Sequence, residues 1–146
     1  MVIIMKIIKT YLSLQTKKRI EVIDITDKVS KEILKSGITN GFAIIYVPHT
    51  TAAVTINEPD PALFEDIIKT YTKLVPIEGS YKHNEKYSGI PREQNAHAHI
   101  LSSLIKPTVV VSIEDEKLEL GTWQAILFLE FDGPRNRKVY VKVMGD

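Results

Sequence analysis

The stretch YVPHTTAAVTINEPDP, residues 46 to 61, connects two predicted strands and then begins a helix. Before it, the continuous apolar run of residues 41–47 predicts a strand that is buried on both sides. After it, residues 52–57 have the pattern of a second strand, which we expect to pair with the first. One face of that second strand carries Ala52, Val54 and Ile56, and the other carries Thr51, Ala53, Thr55 and Asn57.

The connection between these strands, His49-Thr50-Thr51, is unusual as a turn. Turns are usually built from glycine, asparagine and aspartate, because these residues adopt unusual backbone angles at little cost. A histidine followed by two β-branched hydroxyl residues is therefore a candidate for a functional site. If the two strands pair, Asn57 and Glu58 close the second strand beside that site.

Three segments have the apolar spacing and the end signals of helices: residues 26–37, 60–76 and 95–105. Thr26, Asp60 and Asn95 are the predicted N-terminal caps of these helices. The second helix also carries Pro61, which suits the first helical position. Between the second and third helices, residues 75–94 form a long polar loop, and loops of this length in small domains usually serve a function or move.

Strands are predicted at both ends of the chain. Residues 2–14 and 19–25 form an expected hairpin through the polar QTKK segment. Three or four strands close the chain, at residues 108–113, 117–120, 124–131 and 137–143, and DGPRNR is a tight turn between the last two. The fold class that follows is a single α+β domain over residues 1–146, with mixed, mostly antiparallel sheets and about three helices.

The composition excludes several classes of function. A chain of 146 residues forms a real core without disulfides, and the absence of cysteine excludes thiolate metal sites and cysteine nucleophiles. The net charge of +1 gives no electrostatic footprint for nucleic acid or an anionic membrane. Lys6 and Lys9 interrupt the apolar N-terminal segment, so it predicts a strand of a cytoplasmic protein and not a signal peptide. The excess of lysine over arginine, 15 to 4, is compatible with a thermophile.

The four histidines of the chain, His49, His83, His97 and His99, are its only candidates for nitrogen ligands to a metal. Three imidazoles from separate elements are typical of an open metal site that keeps a position for water. On a helix, the side chains at 97 and 99 point about 200° apart, so they cannot share one site. His97 falls within the apolar stripe, and His99 falls on the polar side. In the alternative interpretation, His97 is a packed core or interface residue and His99 is simply solvated.

The polar residues near these segments also have two interpretations. Glu58 is an uncommon turn residue, and Glu130 lies in a strongly apolar strand, where it is either outward-facing or buried and paired. Gln124 is a candidate to orient a ligand. Arg135 and Arg137 are either solvated or bind a phosphate through paired hydrogen bonds.

Several short motifs in order resemble the YjbQ-like family, known as the secondary thiamine-phosphate synthase enzymes and long described as uncharacterised. The matching pieces are HTTAAVTINE, DP at 60–61, Asp66, YKH at 81–83, AHILSSL at 98–104, LGTWQAI at 120–126, Glu130 and DGPRNR at 132–137. The resemblance covers nearly the whole chain, and it implies a compact α+β domain that forms trimers with sites near subunit boundaries.

The resemblance also implies a metal-binding cluster of His49, His83 and His99. His97 occupies a position where relatives often carry another residue, commonly proline, so it is not included. Zinc is the expected metal because the ligands are imidazoles, although nickel, copper or iron would also accept them. The activity implied is the joining of a pyrimidine diphosphate to a thiazole phosphate.

Two functions follow as hypotheses. The first is a metal-dependent enzyme that acts on a small phosphorylated metabolite, with Glu58 or Glu130 as general base and a hydroxyl of Thr50 close to the metal. In this hypothesis the residues that bind the substrate are Thr51, Asn57, Gln124, Arg135 and Arg137. The second is a non-catalytic oligomeric protein that binds a metal or a small ligand through the same histidines.

Overall fold

The computed structural model describes residues 1–146, which form eight strands and four α-helices. The strands are β1 (Lys6–Gln15), β2 (Glu21–Asp24), β3 (Gly41–Tyr46), β4 (Ala52–Asn57), β5 (Thr108–Glu114), β6 (Lys117–Leu118), β7 (Ala125–Glu130) and β8 (Asn136–Gly145). The helices are α1 (Thr26–Ser36), α2 (Pro61–Leu74), α3 (Lys82–Lys86) and α4 (Ala96–Ile105), and a 3₁₀ turn covers Pro91–Glu93. The expected α+β class is confirmed. No helix has both the length and the apolar character needed to cross a membrane.

The strands form two antiparallel sheets. The larger sheet has the order β1-β8-β3-β5-β6, and the smaller has the order β2-β7-β4. The main core lies between them and includes Leu12, Ile45, Val54, Phe128 and Val141, with Val29 and Ile33 of α1 closing one side. A second, smaller core lies on the other face of the small sheet, where α4 packs.

Strand β4 contributes to both cores, because its side chains alternate between the two faces of the small sheet. Ala52 and Val54 belong to the main core, whereas Ala53 belongs to the second core. The predicted assignment of faces is therefore correct for this strand. Short side chains are needed here, since α4 approaches closely enough for the Ser102 hydroxyl to donate to the Ala52 carbonyl at 2.8 Å.

The expected pairing of β3 with β4 is wrong. β3 pairs with β5 on one side and β8 on the other, so neither of its edges is left for β4. β4 instead pairs with β7 in the small sheet. The His49-Thr50-Thr51 segment is therefore a crossing from one sheet to the other, and the β4 end with Asn57 and Glu58 lies away from it.

Two more connections predicted as turns within a sheet also pass between sheets. The QTKK segment leads from β1, which pairs with β8, to β2, which pairs with β7. The DGPRNR segment leads from β7 to β8, which lie in different sheets. Polar turn sequences identify where the chain reverses or bends, but they do not specify which strands hydrogen-bond to each other.

The prediction of burial on both sides is wrong for β3. Phe42 and Tyr46 on the outer face of β3 are exposed, because no helix of the chain covers that face of the large sheet. β7 is the strand with every residue buried. It lies in the middle of the small sheet, between the main core and the second core.

The helices begin and end close to the predicted residues. Asp60 caps α2 by accepting a hydrogen bond from the Ala62 amide at 3.1 Å, and Gly37 ends α1 in the left-handed conformation. Thr26 is not a cap, since it is the first residue of α1, and its hydroxyl accepts from the Ile126 amide of β7. The long polar loop contains the short helix α3, which the sequence pattern did not predict.

Candidate functional site

His49 lies in the crossing that leads from the end of β3 to the start of β4. The Val47 amide donates to the Pro107 carbonyl at 2.8 Å, and the Phe131 amide donates to the Thr51 carbonyl at 3.2 Å. These bonds hold both ends of the crossing. His49 and Thr50 therefore extend from a fixed segment of backbone.

Two of the predicted metal ligands, His83 and His99, lie side by side. Their ring centroids are 4.8 Å apart with an interplanar angle of 63°. His99 is fixed by the packing of α4 against β4, and α3 is tied to the start of α4 because the Asn84 side chain accepts from the Ala96 amide at 3.0 Å. The pair is thus formed between α3, which lies within the predicted long loop, and α4, which follows that loop.

An open polar cavity of about 530 Å³ lies between the crossing and α4. Its lining includes His49, Thr50, His99, Ser102 and Ser103. Most of the lining groups are hydroxyl or imidazole, and no carboxylate is among them. The cavity therefore offers neutral donors and acceptors to a small polar ligand.

His49 lines the same cavity as His99, but its ring is engaged elsewhere. Its Nε2 accepts a hydrogen bond from the Lys138 amide of β8 at 3.0 Å. No three histidine, aspartate or glutamate side chains are grouped closely enough in this structure to hold a metal ion. The structure thus gathers His83 and His99 of the predicted trio, and it directs His49 toward the large sheet.

The pKa values of the two cavity histidines are shifted in the direction that favours the neutral ring. Burial lowers the pKa of His49 below its usual value, and the nearby Arg137 guanidinium lowers it further. Burial also lowers the pKa of His99, with the His83 ring as the next contribution in the same direction. Neutral imidazoles keep a free nitrogen lone pair, which is the form that binds a metal or accepts a hydrogen bond.

A hydrogen-bond network extends from the histidine pair to the DGPRNR segment. His83 Nε2 and Asn95 Oδ1 are 3.0 Å apart, and Asn95 Nδ2 donates to Asp132 Oδ2 at 2.9 Å. Asp132 also forms an ion pair with Arg135 at 2.7 Å. Asn95 occupies the predicted N-cap position of α4, but its side chain makes no capping hydrogen bond and bonds to His83 and Asp132 instead. Arg135 thus joins this network through Asp132.

A second polar network lies behind the crossing and is almost completely buried. Glu130 is 0% exposed, and Arg137 donates to both of its carboxylate oxygens, at 2.8 Å from Nε and 2.5 Å from Nη2. Arg137 Nη2 also donates to the Thr51 hydroxyl at 2.8 Å, and Thr16 donates to Glu130 at 2.7 Å. Of the two open interpretations of Glu130, the buried and paired one is correct.

This network changes what three predicted site residues do. Glu130 is saturated by donors and faces no solvent, so it is not placed to exchange a proton with a ligand in the cavity. The Arg137 guanidinium donates its hydrogen bonds to Glu130 and Thr51, so it is poorly placed to bind a phosphate. Thr51 supports Arg137 with its hydroxyl and does not line the cavity.

Asn57, Glu58 and Gln124 lie at the far end of the small sheet from the histidines. Ala52 pairs with Glu130 at one end of β4, and Asn57 pairs with Ala125 at the other. The rise of about 3.3 Å per residue separates the ends of this strand by roughly 16 Å. The expectation that Glu58 lies beside His49 is therefore wrong within the chain, because β4 runs away from the crossing.

His97 is fully buried, as the helical spacing predicted. Its Nε2 lies 3.0 Å from the Phe131 carbonyl, which can only accept, so Nε2 carries a proton. Its Nδ1 has no hydrogen-bond partner. Burial lowers the pKa of this ring, and the Phe131 hydrogen bond acts in the opposite direction.

Taken together, fold and site define a class: a two-sheet α+β domain with paired histidines between helices and an open polar cavity at the sheet edge. The family model for the UPF0047 protein YjbQ-like family matches residues 10–146. The chain belongs to this family, as its sequence motifs indicated.

Relatives and solved structures of the same family cover almost the whole chain. A UPF0047 protein of Archaeoglobus fulgidus is 47% identical over 91% of this chain and 98% of its own. UPF0047 protein YugU of Bacillus subtilis is 43% identical over 92% of this chain and 97% of its own. The crystal structure of a YbjQ-like protein of unknown function from Sulfolobus solfataricus has a TM-score of 0.90 at 37% identity, covering 97% of this chain and 99% of that one.

Proposed function

We propose that this protein is a metal-dependent enzyme that acts on a small phosphorylated metabolite at the cavity between the crossing and α4. The observation that carries the proposal is the pair His83 and His99, whose ring centroids are 4.8 Å apart beside a cavity that His49 also lines. Paired imidazoles at an open cavity are suited to ligand or metal binding. Thiamine-phosphate synthesis is the first reaction to test, since the sequence motifs resemble proteins with that activity.

The chemistry of the donor set suits a divalent metal, and two of the three proposed ligands, His83 and His99, lie side by side. His83 and His99 would hold the ion, with zinc as the proposed metal, and His49 would be the third ligand once its Nε2 leaves the Lys138 amide. The metal would supply a Lewis acid that polarises a phosphate or carbonyl oxygen or lowers the pKa of water. Thr50 and Ser103 line the same cavity as His49 and His99, so their hydroxyls are available to a ligand bound there.

One observation favours the second candidate, a non-catalytic oligomeric protein that binds a metal or small ligand. Neither predicted base is placed at the cavity: Glu130 is buried in its ion pair with Arg137, and Glu58 lies at the far end of β4. A protein that only binds its ligand needs no such base. Turnover with a phosphorylated metabolite would identify the enzyme, and tight binding without turnover would identify the binder.

We also propose that the protein assembles as a homotrimer. The resemblance supports this assembly, and the outer face of the large sheet supports an association of copies. That face exposes Tyr11, Tyr46, Val110 and Tyr140 with no helix over them. Exposed apolar surface of this kind marks an interaction site in soluble proteins.

The test of the site is zinc binding to the purified protein and its variants. Calorimetry measures the zinc affinity after any bound metal has been removed. We expect His83→Ala and His99→Ala each to weaken zinc binding by at least about tenfold, because each removes an imidazole ligand. His97→Gln is the control, and its zinc affinity should match that of the wild type.

The proposal would be overturned if the wild type bound no zinc, nickel, copper or iron, or if His97→Gln weakened binding as much as His99→Ala. Phosphorylated metabolites, including the pyrimidine diphosphate and thiazole phosphate pair, are then screened for turnover with the metal-loaded wild type. His49→Ala tests whether His49 is the third ligand. The variant should bind zinc more weakly than the wild type if His49 is a ligand, and equally well if it is not.

A further inference from the structure

A second cavity lies on the other side of the His83–Asn95–Asp132 network. Its volume is about 270 Å³, and it is lined by Arg19, Arg92, Asp132 and Arg135, with the backbone of Gly133 and Pro134 between them. None of its lining residues is a large apolar residue. It is thus a charged cavity, in contrast to the neutral one beside α4.

The arginines of the chain are concentrated at this cavity. The sequence has only four arginines against 15 lysines, and three of those four line it. The fourth, Arg137, is buried in the ion pair with Glu130. Arginine differs from lysine in presenting a planar fork of donors that matches a phosphate or carboxylate, so this concentration indicates recognition of an oxyanion.

Most of the guanidinium donors at the cavity are free. Arg92 is in no ion pair and makes no side-chain hydrogen bond, and Arg19 donates only to the Gln94 carbonyl, at 2.9 Å. Arg135 uses Nε and one Nη2 hydrogen on Asp132. Asp132 is the only acidic residue in the lining, so three positive charges face one negative charge.

The backbone holds two of these arginines in place without a ligand. The Gly133 amide donates to the Arg19 carbonyl at 2.9 Å, and the Arg135 amide donates to the Thr16 hydroxyl at 2.8 Å. A side chain at position 133 would collide with the Lys18 carbonyl, so this close approach requires glycine. The segments that carry Arg19 and Arg135 are therefore fixed against each other.

We propose that Arg19, Arg92 and Arg135 form an oxyanion subsite that binds the phosphoryl group of the ligand. The inference rests on the proposed function in taking that ligand to be a phosphorylated molecule. It replaces Arg137 with Arg19 and Arg92 as the anion-binding partners of Arg135. Asp132 bonds to both Arg135 and Asn95, and Asn95 bonds to His83. The subsite is therefore connected to the histidine pair by these hydrogen bonds.

The test uses inorganic phosphate and inorganic pyrophosphate, titrated by calorimetry into metal-free protein at constant ionic strength. We expect Arg19→Gln and Arg92→Gln each to weaken binding by about tenfold, because each removes charge-assisted hydrogen bonds. Lys18→Gln is the matched control, since it removes an equal charge from the same turn outside the cavity, and its affinity should stay within about twofold of the wild type.

Unchanged phosphate affinity in both arginine variants, or an equal loss in Lys18→Gln, would overturn the inference. Arg19 and Arg92 are exposed, so their replacement should leave the thermal unfolding midpoint unchanged, and that measurement accompanies each titration. Because the titrations contain no metal, phosphate binding can fail while zinc binding succeeds, and the reverse. The two proposals therefore stand or fall separately.

Discussion

At the scale of single residues, the clearest contrast is between Glu130 and Glu58. Both are carboxylates near the ends of strands, yet Glu130 is 0% exposed and saturated by donors, whereas Glu58 is exposed at the end of β4. A buried carboxylate of this kind is stable only with its partner, because an unpaired charge in the interior is strongly penalised. Glu130 is thus a structural residue that fixes Arg137 and, through it, the Thr51 end of the crossing.

Replacing Glu130 should therefore be costly for folding. We expect Glu130→Gln to lower the free energy of unfolding by about 3–5 kcal/mol, because it leaves the Arg137 charge buried without its counter-ion. The double variant Glu130→Leu with Arg137→Met should recover much of this loss, since no buried charge is left. Urea unfolding gives the free energy of unfolding of the wild type, of Glu130→Gln and of the double variant.

Glu58→Gln is the control for that experiment and should change stability by less than about 0.5 kcal/mol, as expected for an exposed position. A Glu130→Gln protein as stable as the wild type would contradict the assigned role. So would a double variant less stable than the single one.

The sequence predicted some residue environments well and others not. The opposite surroundings of His97 and His99 follow from helical spacing alone, because two residues of one helix have a fixed angular relation. The partners of Glu130 could not be predicted in this way, since Arg137 lies in β8 and Thr16 directly follows β1. Arg19 and Arg92 were missed for the same reason, and the only available signal was the scarcity of arginine in a lysine-rich chain.

At the scale of elements, α4 connects the second core to the functional site. Its buried face packs His97, Ala98 and Leu101 toward the small sheet, and its other face presents His99. The contact of His97 with the Phe131 carbonyl joins the helix to the end of β7. The docking of α4 therefore involves a histidine whose charged form is disfavoured by burial.

The stability of this docking should depend on pH. Burial lowers the pKa of His97 in the folded protein, so the folded state binds fewer protons than the unfolded state below the unperturbed value of about 6.5. The contribution of His97 to the free energy of unfolding is fully present above that pH. It decreases as the pH drops, and it stops decreasing below the pKa of the folded state. We expect the free energy of unfolding to decrease between pH 7.5 and pH 5.5.

His97→Gln tests the origin of this pH dependence, because glutamine can still donate to the Phe131 carbonyl but does not titrate. Its free energy of unfolding should fall less over the same pH interval than that of the wild type, by at most about 1.4 kcal/mol per pH unit. Urea unfolding at each pH gives the two slopes. Equal slopes would show that His97 does not titrate in this range.

Sequence patterns located most elements but not their pairing. The ends of α1 and α2 follow from Gly37 and Asp60, which act on the backbone of their own helix. The partners of β3, by contrast, are β5 and β8, which are far away in the sequence. Local preference specifies that a segment is extended, whereas the choice of neighbour is made by the packing of the whole domain.

At the scale of the whole molecule, the uncovered face of the large sheet is the main feature that a single chain leaves unexplained. Val110 is 59% exposed and Tyr11 is 53% exposed on this face. Tyr140 stacks on Tyr46 with ring centroids 6.4 Å apart and meets the edge of Tyr11. An ordered aromatic row on an open sheet face is suited to contact another copy of the chain.

We therefore expect a solution mass of about 49.5 kDa by light scattering, which is three times the 16.5 kDa of one chain. Val110→Lys should shift the mass toward the single chain, because it places a charge in the middle of the apolar face. Trp123→Lys is the control, since Trp123 is 72% exposed and lies outside the large sheet. A wild-type mass near 16.5 kDa would exclude the trimer.

The position of β8 also has a consequence for synthesis on the ribosome. β8 lies between β1 and β3 in the large sheet, and its residues pair with Lys6–Gln15 over the full length of β1. Until β8 has emerged, both strands have an open edge with no neighbour to pair with on that side. Open edges favour aggregation, so the nascent chain is expected to need protection until its last strand is released.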